Sequence, residues 1–189
     1  DGSSLLAHTH CVVGRGHAER LVPMIGELPQ KGRADRILVS LGPGSFTGVR
    51  IGLATARALG VAWKAEVLGY PTLQLTHRQA CDPEPRPATV CVNGGHGEWF
   101  IQHFAANGDP QSELFSLTPD AAATFALHHT IVGNRAQACA DRADGEYIAI
   151  DALPDARYVS QLDPSQFLEE LRPIYGRAPD AKPQMAPAQ

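Results

Sequence analysis

The segment Gly42-Pro43-Gly44-Ser45-Phe46-Thr47-Gly48 carries residue types that suit phosphate chemistry. Glycines let the backbone N–H groups at a helix N-terminus approach an anion, so Gly42, Gly44, Ser45 and Thr47 are candidates for an anion or nucleotide loop. The spacing departs from the familiar cradles. A Walker loop needs Lys where Val49 stands, and a dinucleotide fingerprint needs Gly where Thr47 stands. The competing reading is a structural turn whose glycines permit tight strand-to-helix packing. Eight histidines invite a metal, His8 with His10 and His128 with His129 above all, but no HExxH or HxxxH occurs and no metal site is expected. Ser40, Ser45 and Thr47 lie at the turn without a GxSxG elbow or an assignable His and Asp partner, so no catalytic residue is assigned. Cys11, Cys81, Cys91 and Cys139 contain no CxxC and read as reduced thiols.

Around these groups stands an ordinary globular composition. The 189 residues include 20 acids and 16 bases, a formal charge of −4, which argues against a stand-alone nucleic-acid binder because such proteins neutralise phosphates with a basic surface. No apolar run approaches the roughly 18 residues of a membrane span, and the start lacks a secretory signal, so a soluble cytoplasmic protein without membrane contact is expected.

The elements that would position the turn follow from periodicity. Leu21, Val22, Ile25 and Leu28 predict a short amphipathic helix kinked at Pro23. Residues 36–41 read as a strand buried on both faces and lead through the glycine turn into a helix over 46–63. In that helix Gly48, Gly52, Ala56 and Gly60 form a bare stripe. Each interior glycine costs about 1 kcal/mol relative to Ala, so close approach of another backbone is the expected compensation. Arg50, Arg57 and Lys64 share one edge, and nearly all the rest is apolar, more than one small lobe can hide. A helix over 73–80 ends at a proline-rich joint, 81–87, read as a lobe boundary. Strands at 88–92 and 98–104 flank a five-residue loop, followed by a helix at 120–127, strands at 130–132 and 147–150, and helices at 155–162 and 164–171. Asp1-Gly2 is hairpin-turn chemistry and 5–13 reads as the outgoing strand. The expected organisation is an N-terminal lobe, 1–80, a smaller lobe, 88–176, and a flexible proline-containing tail, 177–189.

From Val39 to Gly52 the string VSLGPGSFTGVRIG resembles the TsaB family, formerly YeaZ, partners in bacterial tRNA threonylcarbamoyladenosine synthesis. His17 to Ile25, Gly69-Tyr70-Pro71-Thr72 and Pro173-Ile174-Tyr175-Gly176-Arg177 support it. The resemblance implies an α/β fold of the actin-like, ribonuclease-H-like (ASKHA) class with two lobes, the second reduced. The family's usual first strand, similar to LAIDTAT, does not precede Asp1, and Asn93 stands where the family more often has an acid, so the first strand is expected to be missing. The resemblance further implies a non-catalytic subunit that docks a TsaD-like catalytic subunit, works with a TsaE-like ATPase, and meets tRNA indirectly through the complex. It implies no intrinsic cofactor, with ATP or ADP held by the assembly. The partner surface is placed on Leu21, Val22 and Ile25 with Val49, Leu53 and Ala56, a surface that in isolation can also pair two copies. The alternative from the same fold is an ATP-dependent phosphotransferase or hydrolase.

Overall fold

The computed structural model describes residues 4–14 and 16–177. The Asp1-Gly2 turn and nearly all of the expected tail lie outside them. The order is α1 (His17–Gly26), β1 (Arg36–Ser40), α2 (Phe46–Trp63), β2 (Glu66–Tyr70), α3 (Thr72–Ala80), β3 (Ala88–Gly95), β4 (Glu98–Phe104), β5 (Phe115–Leu117), α4 (Pro119–Phe125), β6 (Thr130–Val132), α5 (Ala136–Ala140) and β7 (Ile148–Ile150).

Two sheets result. β1 and β2 pair in parallel, Arg36 opposite Glu66 through Ser40 opposite Tyr70, and α2 crosses between them as the connection that parallel strands require. The second sheet has the order β5-β4-β3-β6-β7, a three-strand antiparallel meander continued by two strands parallel to β3. That is ribonuclease-H-like topology. The five-stranded sheet belongs to the second half of the chain, so the reduction expected there is not found among the described residues; the smaller sheet is the first.

Burial follows the sheets. Leu73 of α3 joins Val90, Phe100, Phe104 and Val132 in one cluster, while Cys91, Ile101, Ile131 and Cys139 centre another on the opposite face. α3 therefore packs on the second sheet, although it precedes the proline-rich joint that the sequence marks as a boundary. α3 faces both ways: Leu73 buries its apolar surface on the larger sheet, whereas Leu75 packs with Tyr70 and Leu38 of the first sheet and with Leu162, and each leucine is 1% exposed.

Several expected elements change type. Residues 5–13 form no strand, and Leu6 and Val12 stand exposed, because a strand needs a ladder partner and none pairs with them among the described residues. Residues 155–162 form a 3₁₀ segment, Ala156–Gln161, and the expected last helix shrinks to one turn, Pro164–Gln166. Beyond it the chain runs extended across the molecule. Leu168 exchanges two backbone bonds with Gly69, Ile174 N–H donates to the Leu41 carbonyl at 2.7 Å, and Arg57 reaches the Leu171 carbonyl at 2.7 Å. Tertiary hydrogen bonds replace helical ones there. The β3–β4 loop is tighter than expected: Gly95 already pairs with Glu98, leaving His96-Gly97, both at positive φ, as the turn. Two short elements, β5 and α5, have no counterpart in the sequence reading.

Candidate functional site

Gly42, at φ 96°, is buried, and a Cβ there would lie 2.7 Å from the Ile174 carbonyl, so only glycine passes. Its N–H donates to Ser40 Oγ at 3.3 Å and its carbonyl accepts from Thr72 N–H at 2.8 Å. Ser45 caps α2, its Oγ accepting from Gly48 N–H at 3.3 Å. Gly42 therefore holds the strand-to-helix turn against the C-terminal segment. Of the four loop candidates, Gly44 and Ser45 line a cleft, whereas Gly42 and Thr47 do not.

That cleft, about 410 Å³, lies between the two sheets. The first sheet supplies Val39 and Ser40, α2 supplies Gly48, Val49 and Gly52, and the second sheet supplies Val92 and Asn93, with Asn134, Leu153 and Pro154 on following loops. Ser40 and Thr72 share a hydroxyl hydrogen bond of 2.5 Å across the strand ends. None of the lining side chains is ionisable. Among the described residues, no three His, Cys, Asp or Glu groups stand together as metal ligands.

The bare stripe of α2 divides between two tasks. At Gly60 a Cβ would lie 2.4 Å from Val67 Cγ2, so the helix touches β2 there, which is the close approach expected. At Gly52 the nearest atom would be Val39 Cγ2 at 3.9 Å, and this part of the stripe faces the open cleft.

The second candidate surface is the outer face of α1 and α2. Here the expected partner residues separate. Leu53 and Ala56 are 3% and 5% exposed, so they face the chain's own core and are corrected from partner contacts to packing residues. Val49 lines the cleft. Leu21 and Ile25 are half-buried, and Val22 is 54% exposed. Ala54, Ala58, Val61 and Ala62 form the outward apolar ridge of α2, with Val61 83% exposed, and α1 has no buried residue at all. The misassignment has a simple cause. A helix that is apolar all round gives periodicity little power to choose which stripe faces inward.

Beside that ridge, Arg50 lies 3.7 Å over the Phe46 ring and its Nε donates to Tyr175 Oη at 3.0 Å. Arg50 and Arg57 therefore pin the C-terminal segment to α2. The sequence singled out Pro173 to Arg177 as a signature but offered no local pattern for this role, since the contacts span more than a hundred residues.

Architecture and cleft define the class: an α/β protein of the actin-like, ribonuclease-H-like type. Two solved structures share it. One is an uncharacterized protein with similarity to peptidase YeaZ from Pseudomonas aeruginosa, 22% identical, with a TM-score of 0.73 over 88% of this chain and 87% of that one. The other is YeaZ from Pseudomonas aeruginosa, 23% identical, with a TM-score of 0.69 over 84% of each chain. The sequence profile of the TsaD family, tRNA N6-adenosine threonylcarbamoyltransferase, matches residues 11–128. The chain belongs to that family. A tRNA N6-adenosine threonylcarbamoyltransferase of Erythrobacter litoralis (strain HTCC2594) is 34% identical over 94 residues, covering 45% of this chain and 27% of that relative. The matched region thus spans about a quarter of the curated relative's length. Among the described residues no helix is long and apolar enough to cross a membrane.

Proposed function

We propose that this chain is a non-catalytic subunit of the TsaB type that docks a TsaD-type catalytic subunit and, with a TsaE-type ATPase, supports threonylcarbamoyl transfer to a tRNA adenosine in the cytoplasm. The observation that carries the reading is the outward apolar ridge of α2, Ala54, Ala58 and Val61, flanked by Val22 of α1. Small side chains on such a ridge allow a second helix pair to approach closely, and apolar surface of this kind on a helix face is what an interface removes from water. The same face pairs two copies when the partner is absent. ATP or ADP belongs to the assembled complex, and tRNA is met through it.

The test separates docking from folding. Val61→Glu places a carboxylate on the exposed ridge and is expected to abolish co-elution with the catalytic subunit while thermal unfolding stays unchanged. Leu53→Glu buries an unpaired charge and is expected to unfold the chain. A Val61→Glu protein that remains folded and still co-elutes removes the docking assignment.

A further inference from the structure

Three asparagines occur in the chain, Asn93, Asn107 and Asn134, and glycine follows the first two. An asparagine carboxamide is within reach of the peptide nitrogen that follows it, and a following glycine sets no Cβ in the way of their approach. The structure treats the two Asn-Gly steps differently. Asn93 stands exposed near the end of β3, where the register passes from Asn93 opposite Trp99 to Gly95 opposite Glu98 and skips Gly94. A bulge of this kind leaves its extra residue out of the ladder. Glycine is needed at that point, since a Cβ on Gly94 would lie 3.0 Å from the Glu98 carbonyl oxygen. Asn93 Oδ1 accepts from Gly95 N–H at 3.3 Å, a bond that closes a ring of atoms around the Gly94 nitrogen. Asn107, by contrast, is tied at each reacting group. Gly108 N–H donates to the Ala105 carbonyl at 2.9 Å, Asn107 Oδ1 accepts from Asp109 N–H at 3.1 Å, and Asn107 Nδ2 donates to Asp109 Oδ2 at 2.7 Å.

We infer that Asn93 is a site of spontaneous deamidation, where the chain converts an amide into a carboxylate with water as the co-reactant. The Gly94 nitrogen gives its proton to a solvent base and attacks Asn93 Cγ. The N–Cγ bond forms, the Cγ–Nδ2 bond breaks, and the amide leaves as ammonia with a proton from solvent. Negative charge passes through Oδ1 in that step, where Gly95 N–H already donates. Water then opens the cyclic imide at one of its two carbonyl carbons, leaving aspartate at position 93 or the isomer whose backbone runs through the side-chain carboxyl. No oxidant or reductant takes part. At Asn107 the Asp109 carboxylate holds the leaving amide, and its charge opposes the one that develops on Oδ1. At Asn134 the next residue is Arg135, whose side chain crowds the attack. The product at position 93 carries a negative charge beside a cleft whose lining is otherwise not ionisable, and the isomer adds a backbone atom at the Asn93–Trp99 pair. This inference is independent of the docking face.

Peptide mapping by mass spectrometry decides it, on the full chain aged in mildly alkaline buffer beside a sample unfolded in urea. In urea the two Asn-Gly steps are expected to convert at similar rates. In the folded chain Asn93 is expected to convert about tenfold faster than Asn107, whose reaction must first break two more hydrogen bonds. Ion exchange supplies a second readout. Asn93→Gln, a change at an exposed residue whose longer side chain closes the ring poorly, is expected to remove the acidic species that accumulates, and Asn107→Gln to leave it. Should Asn93→Gln fail to fold, the mapping of the unsubstituted chain decides alone. Folded-state conversion at Asn107 as fast as at Asn93, an Asn93 that stays intact while both steps convert in urea, or an acidic species that persists in folded Asn93→Gln overturns the inference. Co-elution with the catalytic subunit does not enter these readouts, so loss of the docking assignment leaves them untouched.

Discussion

Three buried or half-buried histidines set the chain's response to acid. Burial is the leading cause that lowers the protonation of His77, His103 and His128 below the ordinary histidine range. His77 stacks on Phe104 with Nε2 3.0 Å from the Arg86 carbonyl; His103 Nδ1 lies 3.0 Å from Thr89 Oγ1; His128 Nε2 lies 2.8 Å from Gln111 Oε1. Because the folded state holds fewer protons than the unfolded one, their contribution is fully present above the unfolded value of about 6.5 and is lost as pH falls from there through the lowered folded values. The expected outcome is a urea midpoint that is flat above the unfolded histidine value of about 6.5 and falls as the pH drops below it. A His103→Gln variant is expected to fall less steeply over the same range. The sequence shows that these residues are histidines, but their burial is a property of the second sheet, which brings Thr89 and His103 opposite each other in register.

At the scale of the element, α2 shows how far a pattern can be read. Its extent, Phe46–Trp63, matches the expectation, and Ser45 caps its N-terminus. Ser45→Ala is expected to lower stability by about 1 kcal/mol, read from denaturant unfolding. Gly60 sets two effects against each other. Replacement by Ala gains up to about 1 kcal/mol of helix propensity, yet the added methyl would stand 2.4 Å from Val67 Cγ2, and overpacking of that kind costs typically 1–3 kcal/mol. Steric cost wins, so Gly60→Ala is expected to destabilise. Gly52→Ala, with nothing nearer than 3.9 Å, is expected to be neutral or stabilising. Two glycines of one stripe thus diverge because one meets a strand and the other a cleft.

Across the whole molecule, the segment from Leu168 to Gly176 joins parts that local sequence leaves unconnected. It bonds Gly69 of β2, the Leu41 carbonyl and Arg57 of α2, and ends with Gly176 so close to Phe100 that an added Cβ would lie 2.2 Å from the ring. Tyr175→Ala removes the Arg50 bond and the tilted ring contact with Phe46, and is expected to lower stability by roughly 1–2 kcal/mol, measured as a melting shift without loss of helical signal. Gly176→Ala is expected to cost more, since Phe100 is buried and has nowhere to turn. From the sequence alone came the span of α2, the central hairpin strands and the glycine turn, because these rest on periodicity and on glycine and proline punctuation that act over a few residues, while the class of the fold came from the family resemblance carried by the string at Val39 to Gly52. Tertiary structure alone decided which stripe of α2 turns inward, that Leu73 of α3 packs on the second sheet, that residues 168–171 run extended where a helix was expected, and that two distant asparagines meet at one cleft. Those outcomes depend on apolar surfaces and hydrogen-bond partners brought together from far along the chain, and no local spacing encodes which distant group will arrive.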